Sequence, residues 1–262
     1  MNNIIIRENS SEIRAIARNA LRENWVKVAI AMAVYYLMTT TIPALLTEIM
    51  PFGVIREYNP LLENYVDISY LTGLYDFVLE GAFSLGMCSF MLSFFRARDI
   101  NPGYIFNGFE HFVKAFCLAF MVGLFTFLWG LLLVVPGIIA FIRYSQAFFI
   151  LEDHPEMGVM DCIAESKRIM TGNKARYFCM HLSFIGWAIL AGIPGGLLLT
   201  DALSNSIAGS GIIGIVVDFI LSIPAFFYMA YINTADAAFY ELGSGHLVAQ
   251  REPEFREEDY HF

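Results

Sequence analysis

The chain has 262 residues, is 57% hydrophobic and only 16% charged, and its mean hydropathy is +0.58. Soluble domains carry about a quarter of their residues as charges, so this chain lacks the polar surface to cover itself in water, and a soluble globular fold is excluded. The net charge of −9 identifies no partner, because Glu252, Glu254, Glu257, Glu258 and Asp259 cluster in the tail REPEFREEDYHF, which reads as a solvated segment.

Residues 1–24 are charged and helix-patterned, with no small-residue cleavage site, so they read as a retained segment rather than a cleavable signal. In NSSEIRAIARNALRENW, Asn9 and Glu12 have capping-box spacing, although the usual first member is Ser or Thr. Ile13, Ile16, Ala17, Ala20 and Leu21 form one apolar face, and Arg14, Arg18 and Arg22 recur every four residues as a basic stripe. Such a helix suits an anionic inner leaflet with Trp25 at the interface. The alternative is a plain solvated face on a helical extension.

Six apolar runs of membrane-spanning length follow, at about 26–48, 70–95, 114–134, 136–151, 177–200 and 211–233. With the N-terminus inside, the inner segments hold Arg7, Arg14, Arg18, Arg22, Lys27, Arg96, Arg98, Lys114, Lys167, Arg168, Lys174, Arg176, Arg251 and Arg256, against Arg56 alone outside. Fourteen against one places both termini in the cytoplasm and the chain in the cell (plasma) membrane as a multi-pass protein. The expected architecture is an all-α membrane protein. Its parts are an amphipathic cytoplasmic helix over 1–24, a six-helix transmembrane domain over 25–241 and an acidic cytoplasmic tail over 242–262.

Val134-Val135-Pro136-Gly137 reads as the tight outer turn between helices three and four. The fourth helix is short, sixteen residues making about 24 Å. GVMDCIAESKRIMTGNK then reads as a short surface helix between helices four and five, setting Val159, Ile163 and Met170 against Asp161, Glu165 and Arg168, and ending at Gly172-Asn173. Cys88, Cys117, Cys162 and Cys179 form no C-x-x-C, and three lie in apolar runs, so they read as small apolar fillers.

The segments VVPGIIAFIRYSQAFFILEDHPE, ESKRIMTGNKARYF, LSFIGWAIL and NTADAAFYE carry a family resemblance. So do ALRENWVKVA and GAFSLGMCSFMLSFFRARD. From its N-terminus to about residue 241 the chain resembles the DUF975 family of bacterial six-helix membrane proteins, itself similar to the membrane domain fused to some glycerophosphodiester phosphodiesterases. Family members often have Ser and Glu at the start of the surface helix where this chain has Gly158 and Asp161, which also suit a helix start. The resemblance implies a fold, a compartment and a Gram-positive type of host. It implies no reaction.

Arg143, Asp76, Glu80 and Asp218 fall in one layer inside the spans. Counting at 1.5 Å per residue from the outer ends puts Arg143 about 10 Å deep, Asp76 about 9 Å, Glu80 about 15 Å and Asp218 about 10 Å. A charge at a helix centre costs about 2.5–3.5 kcal/mol on insertion scales. The expectation is therefore that Arg143 pairs with Glu80 or Asp76, with Asp218 nearby. Three carboxylates on one guanidinium leave surplus negative charge, which suits a proton-responsive or cation-binding site, or else a polar cluster that locks helix packing. His181 reads as a hydrogen-bonded packing residue.

Other motifs point nowhere. Gly209-Ser210-Gly211-Ile212-Ile213-Gly214 fits G-x-G-x-x-G, with Asp236 downstream, but opens a membrane helix with no strand before it. Gly192 and Gly196 have GxxxG spacing but straddle Pro194. Trp129 and Trp187 each precede a Pro-Gly pair (Pro136-Gly137, Pro194-Gly195) by seven residues, a faint echo that is either a parallel repeat or coincidence. H-E-x-x-H, G-x-S-x-G and P-loop patterns are absent, no cofactor or metal is implied, and the basic stripe lacks the aromatic interleaving of a nucleic-acid surface. The expected function is non-enzymatic: binding, transport or export support for a small amphiphile, peptide or ion. The alternatives are a structural or assembly partner of another membrane protein and, further off, a lipid-headgroup enzyme. The expected partner at the cytoplasmic face is anionic lipid.

Overall fold

The structure, a computed structural model, describes residues 4–50, 53–59, 64–196 and 211–247. In chain order come α1 (Ser10–Leu21), α2 (Trp25–Tyr36), a π-turn (Leu37–Thr41) and α3 (Ile42–Ile49). A hairpin of β1 (Val54–Asn59) and β2 (Asn64–Ser69) leads into α4 (Tyr70–Ala97). Next are a 3₁₀ segment (Pro102–Phe109), α5 (Phe112–Leu132), α6 (Val134–Tyr144), α7 (Ala147–Asp153) and α8 (Val159–Ile169). The chain closes with α9 (Lys174–Leu182), α10 (Ile185–Gly196), α11 (Ile212–Leu221) and α12 (Ile223–Ser244).

Four helical stretches are long and apolar enough to cross a membrane: Trp25–Ile49, Tyr70–Ala97, Phe112–Leu132 and Val134–Asp153. Two bent pairs, α9 with α10 (42°) and α11 with α12 (51°), raise the number to six if each counts as one span. The chain is thus helical with four to six candidate spans, plus a hairpin that the sequence reading did not anticipate. Its strands pair antiparallel from Val54↔Ser69 to Asn59↔Asn64, and VIREYN and NYVDIS hold the β-branched and aromatic residues that favour strands.

Local chemistry explains the breaks. Pro43 has no amide to donate to Thr39 and its ring would strike that carbonyl; the π-turn just before it widens the helix there. The tight link between α5 and α6 is Leu133, with extended backbone (φ −163°, ψ 150°), rather than Pro136-Gly137. Proline is tolerated in a first helical turn, where no intrahelical donor is required, and Gly137 faces α5 so closely that a Cβ there would lie 2.9 Å from Gly130 Cα. The expected fourth helix is two helices. At its break the buried Ser166 of α8 fills the gap: its Oγ accepts from Gln146 N (3.2 Å) and donates to the Arg143 carbonyl (2.8 Å).

The two ends of the bundle differ. At the end holding the N-terminal helix, α1 packs on α9 and α12, and Phe90, Phe94, Ile150, Leu151, Met170, Phe239 and Tyr240 are buried. At the hairpin end, Leu131 to Val135 are 65–73% exposed, and Leu74, Phe77, Ile189 and Ile213 also face outward. So large an exposed apolar surface needs an apolar surround.

Helix α1 corrects one expectation. The capping box forms: Asn9 Oδ1 accepts from Glu12 N (2.9 Å) while the Glu12 carboxylate accepts from Asn9 N (2.8 Å). The face carrying Ile13, Ala17, Ala20 and Leu21, however, is buried against protein. Arg18 donates to the Tyr231 hydroxyl (3.2 Å), and Trp25 meets the same ring edge-on at 5.6 Å. A hydrophobic stripe records that a surface must be covered, not by what. Ahead of α1, residues 4–8 thread beneath Asn173, a fully buried side chain that accepts from Ile6 N (2.9 Å) and donates to the Ile4 and Ile169 carbonyls (2.8 and 2.7 Å).

The surface helix forms as α8 with Gly158 as its N-cap. Arg168, bonded to Glu165 three residues earlier, holds that carboxyl below the usual carboxylate range. The last span departs most from expectation: α12 runs to Ser244, eleven residues past the apolar run, and Glu241, Leu242 and Gly243 are buried in it. The acidic residues of the tail lie outside the described residues.

Candidate functional site

The structure separates the expected polar layer. Arg143, in the last turn of α6, is half-buried, its carbonyl accepts from Ser166 of α8, and its side chain makes no ion pair among the described residues. Asp76 and Glu80, one turn apart on α4, do share a cavity of about 210 Å³ with Tyr35, Thr39, Tyr75 and Leu79. Asp218 on α11 accepts a hydrogen bond from the Tyr36 hydroxyl (2.9 Å). The carboxylates thus gather around α2, and the guanidinium pairs with none of them. With no partner to lose, Arg143→Leu should shift stability by less than about 1 kcal/mol. Thermal unfolding of the purified variant checks this, and a loss of several degrees in Tm would restore the paired-charge reading.

Glu80 also lines a much larger space. A cavity of about 670 Å³ lies among α2, α4, α5, α6, α7, α9 and α12. Its apolar wall includes Met87, Val122, Phe127, Phe141, Phe148 and Phe149, and its polar wall Tyr35, Glu80, Ser84, Tyr144, Ser145, Tyr177, Asn233 and Asp236. That volume suits a small organic molecule. Each helix contributes through ordinary patterning: Glu80 and Ser84 stand one turn apart on α4, and Asn233 and Asp236 three apart on α12. Thr126 Oγ1, on the α5 wall, is buried without a hydrogen-bond partner among the described residues.

A third cavity, of about 270 Å³, opens from the same place between α4 and α5, lined by Phe77, Glu80, Phe120, Gly123, Leu124 and Phe127. Phe77, Phe120 and Phe127 are among the exposed apolar side chains. Glu80 therefore stands where three cavities meet, with a way out through apolar rings. Behind the polar wall, His181 Nε2 lies 2.9 Å from Asp236 Oδ1, and its ring packs on Tyr177 at 4.4 Å. His181 is hydrogen-bonded, as read from the sequence, and Asp236 has its place here rather than in a dinucleotide site.

A second polar group closes the opposite end of the bundle. Arg96 at the end of α4 grips Asp153 of α7 in a bidentate pair (2.6 and 2.7 Å) and donates through Nε to Glu241 of α12 (2.7 Å). Tyr240 donates to Asp153 Oδ2 (2.8 Å), and His246 Nδ1 lies 3.4 Å from Glu241 Oε2. Sequence reading missed this group because Arg96 and Asp153 sit just past the ends of apolar runs, where a charge reads as interfacial, and Glu241 lies in a segment that is not an apolar run. A signal was available: Arg96, Asp153 and Glu241 all fall in segments that carry the family resemblance.

Among the described residues no group of three or more His, Cys, Asp or Glu side chains is placed to hold a metal ion. The four cysteines are free thiols; Cys88 and Cys162 are buried, while Cys179 is exposed.

Four to six apolar helices around a polar-walled cavity fit a multi-pass membrane protein. The chain belongs to the family described as a protein of unknown function (DUF975), whose model matches residues 1–142 and 130–243. No curated protein and no solved structure matches it.

Proposed function

We propose that this protein is a six-span plasma-membrane protein with both termini in the cytoplasm, and that it binds a small amphiphile in its cavity without chemical turnover, as a carrier or export accessory. One observation carries the binding reading: a space of about 670 Å³ walled on one side by aromatic rings and on the other by hydroxyls, an amide and carboxylates. An amphiphile needs both surfaces. The passage between α4 and α5 supports loading from the bilayer, since its exposed phenylalanines match acyl chains better than water. The fourteen-to-one distribution of Lys and Arg supports the orientation. On that orientation the exposed Arg18 and Arg22 lie at the anionic inner leaflet, with Arg14 half-buried beside them.

The test is mass spectrometry of small molecules released from the purified protein. One amphiphile should be enriched near one per chain over the bulk lipid profile, and Gly123→Trp, which fills the passage, should lose it. A released profile identical to bulk membrane in both proteins would overturn the reading. Tags near residues 60 and 205 should report from outside the cell.

A further inference from the structure

Resting on that cavity reading, we infer that the ligand carries a positive charge, held by Glu80 where the three cavities meet. The cavity's charged lining is Glu80 and Asp236, and neither Lys nor Arg lines it among the described residues. The two carboxylates differ in kind. Asp236 already faces His181 at 2.9 Å, so part of its hydrogen-bonding capacity is spent within the protein. Glu80 makes no hydrogen bond or ion pair among the described residues, although it lies within an apolar span, where an unpaired charge is unfavourable. Arg143, the arginine of the apolar spans, makes no ion pair with it. A cationic ligand supplies the missing counter-charge.

The surrounding chemistry agrees. Tyr35, Phe127 and Tyr144 line the same cavity as Glu80, and aromatic faces attract cations through their quadrupole. An anion there would meet two carboxylates and ring faces of the same sign. The passage past Gly123 has room, since a Cβ at that position would meet nothing within 4 Å.

Tetraphenylphosphonium and tetraphenylborate test this directly, being nearly the same shape with opposite charge. Equilibrium dialysis against the full chain in detergent, with empty micelles as the blank, should give saturable one-to-one binding of the phosphonium. Its affinity should be at least tenfold above that of the borate. Glu80→Gln should weaken the phosphonium at least tenfold and leave the borate unchanged or tighter, while Gly123→Leu should remove saturable binding of both. Equal affinity for the two ions, with both lost in Gly123→Leu, would keep the cavity and overturn the charge assignment. Saturable binding of neither ion would overturn both. Phosphonium binding indifferent to Glu80→Gln would remove Glu80 from the assignment. The native comparison of the two ions carries the inference even if a variant fails to fold.

Discussion

Gly86→Val should yield no folded protein, whereas Gly73→Ala on the same helix should be neutral or slightly stabilising. The contrast follows from what each position faces. A Cβ at Gly86 would overlap the carbonyl oxygen and carbon of Ile105 in the 3₁₀ segment, and both are backbone atoms that no rotamer change can move. The segment is clasped from the other side too, because a Cβ at Gly108 would overlap the Ala82 carbonyl. Asn107 Nδ2 donates to Ser89 Oγ at 3.1 Å, and Ile105 is fully buried. To admit one methyl group the segment must lift off α4, exposing Ile105 and breaking that bond. Overpacking of this kind costs about 1–3 kcal/mol where the surroundings can yield and more where they cannot. Gly86→Ala should already lose about 3 kcal/mol, and valine more. At Gly73 a Cβ meets nothing within 4 Å, so alanine brings only its better helix propensity, about 1 kcal/mol. Size-exclusion profiles of fluorescent fusions, followed by thermal melts, read both outcomes. A monodisperse, normally melting Gly86→Val protein would show that the 3₁₀ segment is not clasped.

The near-match of the apolar runs to the helices shows where sequence was sufficient. Runs at 26–48 and 70–95 became Trp25–Ile49 and Tyr70–Ala97, because span length is set by one dimension, bilayer thickness, and hydropathy reports it. The Asn9–Glu12 cap was equally readable, since it is local to four residues. The Arg143 layer failed for a definite reason. Counting residues from a helix end gives depth and says nothing of which helices are neighbours or which way each face points. Arg143, whose carbonyl meets Ser166 of α8, pairs with none of the carboxylates, while Glu80 lines the cavities among α2, α4 and α5. The extension of α12 to Ser244 was hidden because NTADAAFYELGS is not an apolar run; it is small residues packing closely, with Tyr240 and Glu241 placed for partners at distant sequence positions. The cavity is a space between seven helices and has no sequence signature, although Glu80 on its wall was singled out for the right property, a carboxylate inside a span.

Arg96→Met should destabilise the protein by about 3–5 kcal/mol, the range for removing one partner from a buried ion pair. Two magnitudes compete. The Arg96 side chain is 38% exposed, and an exposed pair contributes about 0–1 kcal/mol. Its partners decide the matter: the Asp153 and Glu241 side chains are only 10% and 4% exposed, so the variant strands two carboxylates away from water. Tyr240 still donates to Asp153, which softens the penalty there and leaves Glu241 the worse placed. Arg96→Lys should recover little, because one ammonium cannot replace a bidentate grip on Asp153 together with a third bond to Glu241. If stranded charge is the cause, Arg96→Met combined with Asp153→Leu and Glu241→Met should melt closer to wild type than Arg96→Met alone. If the triple variant is the worst of the series, the group's value lies in holding the ends of α4, α7 and α12 in register, not in satisfying buried charge. An Arg96→Met protein that melts within a degree of wild type would mean that water reaches both carboxylates, and that this end of the bundle is held by Phe94, Ile150 and Phe239 alone.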